Sequence, residues 1–322
     1  MTQQYIDWID QDIKKRKYGK RPASLYDPIQ YLMALGGKRL RPMLTLFAYS
    51  LYKKDTKRIV PYATAVEAFH NFTLMHDDIM DKAPLRRGKP TVHKKWDVNT
   101  AILSGDVMLV KVYELFGELD APVLKTVLKA FNQCAAEVCE GQQLDMEFET
   151  TKNVTEAEYV NMIKLKTAVL LGFSLELGAI LADASLEDRK ILRNFGINIG
   201  IGFQLKDDLL DAYGDPKKFG KQVGGDIIAN KKTWLLIKAV EKAERKLKKQ
   251  LTDWLSSKSF KKQEKIDAVK NIYNTLQIPQ LAEKKVDQYF NKGFLALEKL
   301  NVAEDKKLFL KLFAENLIAR QS

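Results

Sequence analysis

Two groups of aspartates carry the plainest chemistry in the sequence: Asp77, Asp78 and Asp81 in His76-Asp77-Asp78-Ile79-Met80-Asp81, and Asp207, Asp208 and Asp211 in Gln204-Leu205-Lys206-Asp207-Asp208-Leu209-Leu210-Asp211. At about 100° per residue, the first and fifth positions of each group fall one helical turn apart on one face, with the second beside them. Carboxylates so placed repel one another, and late in a helix the macrodipole adds to the cost. Something cationic must offset that, and one spacing occurring twice is hard to explain by stability alone. Hard carboxylate oxygens in a chain with only 3 histidines (His70, His76 and His93) point to Mg²⁺ and away from zinc. A solvated acidic turn, paired with Lys82 or Arg86, is the bland alternative for one such motif but a poor one for two.

The basic residues match. Gly36-Gly37-Lys38-Arg39-Leu40-Arg41-Pro42 is a glycine pair opening a helix, where backbone N–H groups with Lys38 and Arg41 make an anion site. It lacks the P-loop spacing. His70 lies seven residues before Asp77, about 20° from it on the wheel, and so joins a polar stripe suited to an anion. Each aspartate motif is followed by a basic, glycine-containing break: residues 83–96, with Arg86, Arg87 and Lys89, and residues 214–233, with Gly220, Lys221 and Lys231.

The elements that must position these groups are helices. Apolar residues recur at three- and four-residue steps throughout, which predicts an all-α chain with helices over 3–17, 25–35, 39–53, 57–82, 97–118, 121–149, 155–182, 186–213, 232–252, 260–275, 279–297 and 302–320. The longest imply a single large bundle of mostly antiparallel helices, one domain over 1–322, around a deep central space. Of 322 residues, 46% are hydrophobic and 29% charged, which excludes disordered and collagen-like classes. The net charge of +12 favours anionic partners. The lysines of 242–249 with Lys258, Lys261, Lys262 and Lys265 read as a solvated helix face, since no stacking aromatics interleave them as nucleic-acid binding would require. Cys134 and Cys139 read as two core thiols in a reducing cytoplasm. The N-terminus lacks a signal-peptide pattern, and no stretch reaches the roughly 18 apolar residues of a membrane span.

Taken together, GGKRLRP, HDDIMD, LRRGKPT, Lys166-Thr167, FQLKDDLLD, Gly220-Lys221 and Lys231 resemble the trans-isoprenyl diphosphate synthases, or polyprenyl synthetases, from about residue 25 to 300. The resemblance implies a Mg²⁺-dependent prenyltransferase that condenses isopentenyl diphosphate with an allylic diphosphate, with three Mg²⁺ between the two motifs. It implies Asp77, Asp81 and Asp207 as principal metal ligands, with Asp78, Asp208 and Asp211 in support. Arg86, Lys166, Lys221 and Lys231 would hold the allylic diphosphate. Lys38, Arg41, Arg87 and His70 would hold the isopentenyl diphosphate, and Thr167 and Gln204 would face the allylic cation. A homodimer is implied by the family alone.

Below Asp77, the wheel places Thr73, Phe69 and Val66 on its face with Phe72 on the flank, where a growing tail would descend about 5.4 Å per turn. The family sets product length by bulk four and five residues before the first motif, here Thr73 and Phe72. The short motif with an aromatic five back resembles archaeal-type geranylgeranyl synthases, so the expected order is C20, then C15, then longer products. A class I terpene cyclase is the competing enzyme, although it would be expected to carry an Asn/Ser/Glu-type second motif. A non-catalytic synthase subunit is the competing non-enzyme, although it should have lost part of these sets.

Overall fold

The structure, a computed structural model, describes residues 2–215 and 223–319. Its helices are α1 (Thr2–Lys15), α2 (Ala23–Ala34), α3 (Leu40–Ser50), α4 (Val60–Met80), α5 (Val92–Lys95), α6 (Val98–Phe116), α7 (Ala121–Thr150), α8 (Glu156–Ile163), α9 (Val169–Leu181) and α10 (Leu186–Tyr213). They continue with α11 (Gly225–Ile228), α12 (Trp234–Lys242), α13 (Arg245–Ser256), α14 (Lys262–Thr275), α15 (Ile278–Glu298) and α16 (Glu304–Ile318). The one sheet among the described residues is a hairpin of β1 (Leu85–Arg86) and β2 (Lys89–Pro90), with Leu85 opposite Pro90. The fold is all-α, as the periodicity predicts.

The chain resolves into two compact units. The first comprises Met1–Gln133, Phe173–Arg193 and Asn301–Lys306; the second comprises Cys134–Gly172, Asn194–Leu300 and Lys307–Ser322.

In the first unit α4 is the central element, packed by α1, α3 and α6. It begins after a 3₁₀ turn (Thr56–Ile59), with Pro61 in its first turn where a missing N–H costs nothing. Its apolar face buries Val66 and Phe69, and Phe69 meets Phe131 edge-on at 5.0 Å in a cluster continued by Phe116 and Phe173. Arg39, buried and left-handed at φ 49°, pairs with Glu67 of α4 (2.7 Å) and Asp10 of α1 (2.9 Å), and donates to the Met33 carbonyl of α2. One guanidinium thus fixes the turn before α3 against three helices.

In the second unit α12 packs on α8 and α15, and α14 packs on α11, α13 and α15. Helix starts follow capping chemistry: Thr155 and Glu158 close a capping box on α8, and Thr233 accepts from the Leu236 N–H at the start of α12.

Three expectations are corrected. The helix expected over 232–252 is two, α12 and α13, parted by extended Ala243 and Glu244; periodicity misses the break because neither residue is Gly or Pro. Lys265, read as part of a solvated face, is fully buried, since α14 turns it inward with Ile266, Val269 and Ile272. Cys134 is buried as expected, but Cys139 is exposed, because five positions along α7 rotate it about 140° away.

Glu156, at the start of α8, is held by Lys238 of α12 (2.8 Å) and Lys285 of α15 (2.6 Å). Burial raises its carboxyl pKa, but the hydrogen bonds and charges of the two lysines outweigh that and hold it down at about 2. The stabilisation is therefore complete above the ordinary value of 4.5 and is lost as pH falls toward about 2. Glu156→Gln should cost about 1–2 kcal/mol in urea unfolding at pH 7, with the difference shrinking below about pH 3; a difference independent of pH would contradict this.

Candidate active site

The first aspartate motif ends α4. Asp78 is buried and takes the whole fork of Arg86, from β1: Nε donates to Oδ2 at 2.8 Å and Nη2 to Oδ1 at 2.7 Å. The same guanidinium lies 3.8 Å from Asp77 Oδ2. The hairpin carrying Arg86 is closed at its base by Thr91, whose hydroxyl donates to the carbonyl of Ala83, in the link between α4 and β1, at 2.7 Å. Asp77 is half-buried, and Asp81, in the C-cap position, is exposed. The middle aspartate of the motif therefore serves the fold, while its neighbours line the end of the helix.

Next to this motif the structure brings together Arg41, His70 and Arg87. Arg41 Nη1 lies 3.0 Å from His70 Nε2, and Arg87 donates to the Gly36 carbonyl. Gly37, at φ 146°, holds a backbone conformation that other residues rarely adopt, and a Cβ there would stand 2.9 Å from the Arg87 guanidinium and push it aside. Lys38, in the same turn, is exposed. Burial first, then the charges of Arg41 and Arg87, hold the His70 pKa well below its ordinary value. His70 is thus a neutral ring accepting from Arg41, which leaves positive charge on the arginines alone. The sequence marks all four of these residues, but misses Arg39, whose buried pairing is what holds their turn.

Along α4, Phe72 is half-buried between His76 (4.8 Å) and Phe69 (5.7 Å). Thr73 is also half-buried and returns its hydroxyl to the His70 carbonyl at 2.8 Å. Phe69, at 1% exposure, belongs to the aromatic core beneath them.

The second motif ends α10. Asp208 is buried, accepting from the Tyr159 hydroxyl at 2.5 Å and the Trp234 N–H at 3.3 Å, with Gln204 Nε2 at 3.5 Å. Burial pushes its carboxyl up to about 7, with nearby Asp226 adding to the rise and Tyr159 and Lys231 opposing it. Asp211 accepts from the Asp226 N–H at 3.0 Å and so anchors the start of α11. Asp207 is half-buried.

Lys166 and Thr167 sit in a single π turn (Lys164–Ala168) between α8 and α9, a local widening frequent at functional sites. Lys166 pairs with Asp145 of α7 at 2.6 Å, Lys231 lies 4.0 Å from the same carboxylate, and Thr167 Oγ1 lies 3.5 Å from Gln204 Oε1. Gly141 lets α7 approach, since a Cβ there would meet the Lys166 backbone nitrogen at 2.1 Å. Lys221 lies outside the described residues. Sequence reasoning missed Tyr159, Asp145 and Asp226; only Asp145, a carboxylate in the polar Gln142-Gln143-Leu144-Asp145 run of α7, left a signal.

Each motif offers hard oxygen donors and no soft ligand, which fits Mg²⁺. Among the described residues no group of three or more His, Cys, Asp or Glu side chains is arranged as a metal cage.

The electrostatics of the basic cluster are testable by NMR titration of the histidine ring protons, with His70→Gln for assignment. His70 should remain neutral well below pH 6.5, and Arg41→Met should raise its midpoint. An ordinary wild-type midpoint near pH 6.5 would contradict the arrangement.

Comparison with known proteins agrees with the geometry. The polyprenyl synthetase family model matches residues 22–275. The chain is 43% identical over 262 residues to a short chain isoprenyl diphosphate synthase of Methanocaldococcus jannaschii, covering 81% of this chain and 79% of that protein. It is 36% identical over 323 residues to a geranylgeranyl diphosphate synthase of Sulfolobus acidocaldarius, covering 98% and 96%. A crystal structure of a geranylgeranyl pyrophosphate synthase superposes with a TM-score of 0.95 at 44% identity, covering 100% of this chain and 99% of that one. With both aspartate motifs and the basic cluster inside the matched stretch, this chain belongs to the polyprenyl synthetase family of trans-prenyltransferases.

Proposed function

We propose that the chain joins isopentenyl diphosphate head-to-tail to an allylic diphosphate, with geranylgeranyl diphosphate (C20) as main product and farnesyl diphosphate (C15) next. The observation that carries this reading is the difference in burial within each motif: Asp78 and Asp208 are buried, while Asp77 and Asp207 are half-buried and Asp81 is exposed, which leaves these three within reach of metal and water. Mg²⁺, three ions in this reading, would neutralise the diphosphate as it leaves. Lys166 and Lys231, already gathered at Asp145, supply further cations to the leaving group, and Arg86 is read in the same role. Lys221 has this role too. Arg41, Arg87, Lys38 and the neutral His70 take the isopentenyl diphosphate.

The allylic C1–O bond breaks to give an allylic cation and diphosphate. The isopentenyl double bond attacks C1, and the new cation loses a proton to the departed diphosphate. Thr167 Oγ1 and Gln204 Oε1 present oxygens suited to face the cation. No enzyme nucleophile is needed.

The reading includes a single catalytic domain, supported by a family match that runs through segments of both compact units. It includes a homodimer, supported by Val98, Ile102, Leu103 and Val110 of α6, which leave 40–57% of their surface exposed. It also includes the cytoplasm, supported by two cysteines that are both free thiols. No described helix is long and apolar enough to cross a membrane.

Purified protein with labelled isopentenyl diphosphate, each allylic primer and Mg²⁺ should yield linear products with a C20 peak; no elongation with any primer would sink the proposal, and a cyclic hydrocarbon would point to a cyclase. Asp77→Ala and Asp207→Ala should each lower kcat by at least about a hundredfold while circular dichroism stays native; near-normal turnover in either removes that aspartate from the chemistry. Phe72→Ala opens the space above Phe69 and should lengthen the main product by about one prenyl unit, or one helical turn of depth. An unchanged product would assign Phe72 to packing.

A further inference from the structure

Lys265 is fully buried, yet its ammonium faces neutral partners: Asn230 Oδ1 at 2.6 Å, the Ile228 carbonyl at 3.3 Å and the Phe260 ring at 4.2 Å. Removing an ammonium from water costs several kcal/mol, and an apolar residue of like volume often serves stability as well or better. The cost therefore asks what the contacts hold.

They hold the segment that follows the second aspartate motif. Ile228 is the last residue of α11, and Asn230, left-handed at φ 55°, also donates to the Leu255 carbonyl at 3.0 Å. Lys231 comes next, its N–H bonded to the Asp226 carbonyl at 2.9 Å. At the other end of α11, Asp211 accepts from the Asp226 N–H at 3.0 Å and from Gly224 through its own carbonyl. Ile266, beside Lys265, packs on Gly224, where at φ 83° a Cβ would stand 2.7 Å from its side chain. The segment is pinned by Asp211 at one end and by α14, through Lys265, at the other.

We propose that Lys265 is a positioning residue for the allylic diphosphate. By way of Asn230 and Ile228 it fixes the backbone from which Lys231 reaches toward Asp145, and it does not itself touch substrate. The proposal rests on the prenyl-transfer reading for the role of Lys231. The clamp itself is independent of that reading.

The test uses the full chain with Lys265→Met, which keeps the volume and removes the charge, and Asn230→Ala, which keeps the ammonium and removes its acceptor. In Lys265→Met the melting temperature should be unchanged or higher, and amide hydrogen exchange should quicken in residues 224–233. The KM for the allylic diphosphate should rise about tenfold or more, while the KM for isopentenyl diphosphate stays within about twofold. Asn230→Ala should show the same split, and the double variant should be no worse than Lys265→Met alone. Equal shifts in both KM values with a lower melting temperature, or no shift in either, would overturn the proposal and leave Lys265 a packing residue. If Lys265→Met does not fold, Asn230→Ala reads the same split. If the wild-type chain makes no prenyl product, the functional reading fails on its own, and unchanged exchange in 224–233 would still overturn the clamp.

Discussion

Crowded carboxylates on a helix's last turn are the constraint from which the rest of this structure follows. Each motif relieves it by withdrawing its second aspartate from solvent, but by different means. Asp78 is neutralised by a cation, the Arg86 fork. Among the described residues no such fork reaches Asp208; it is held by Tyr159, the Trp234 N–H and Gln204, and burial pushes its carboxyl up to about 7. In the first motif the withdrawn carboxylate is therefore balanced by a cation, whereas in the second it rests on hydrogen bonds.

Other features serve these withdrawals. The β1–β2 hairpin presents Arg86 to Asp78 and, one residue on, Arg87 to the glycine turn. The π turn widens α8–α9 where Lys166 must meet Asp145, and Gly141 lets α7 come close enough for that pair to form. Arg39 fixes the turn before α3 by a buried pairing with Glu67, and so holds the backbone on which Arg41 approaches His70. Positive groups are thus built on rigid backbone, which is what stabilising a charge that develops during reaction requires.

Much of this was legible in the sequence because the signals are local. A carboxylate spacing repeated twice, a Gly-Gly turn and a three-to-four residue apolar period each fall within a single helix or turn. What was not legible depends on partners distant in the chain. Tyr159 is 49 residues from Asp208, and no local pattern distinguishes it from a core tyrosine. Arg86, eight residues from Asp78, is a substrate ligand in the sequence reading and a partner of the acidic turn in its bland alternative; the structure shows the pairing, at Asp78. Lys265 lies among lysines that do face solvent, so composition concealed it, and only the inward turn of α14 shows its partners. The break at Ala243 and Glu244 lacks the Gly or Pro that would announce it.

The central claim is that the aspartate motifs act through metal while the cluster of Arg41, His70 and Arg87 acts without it. Calorimetric titration of the wild-type protein with dimethylallyl diphosphate and, separately, isopentenyl diphosphate, each with and without Mg²⁺, tests it most directly. The account predicts that removing Mg²⁺ weakens the allylic substrate by about a hundredfold and leaves isopentenyl diphosphate nearly unaffected. Equal affinities for the allylic substrate with and without metal, or equal metal dependence for both substrates, would contradict it.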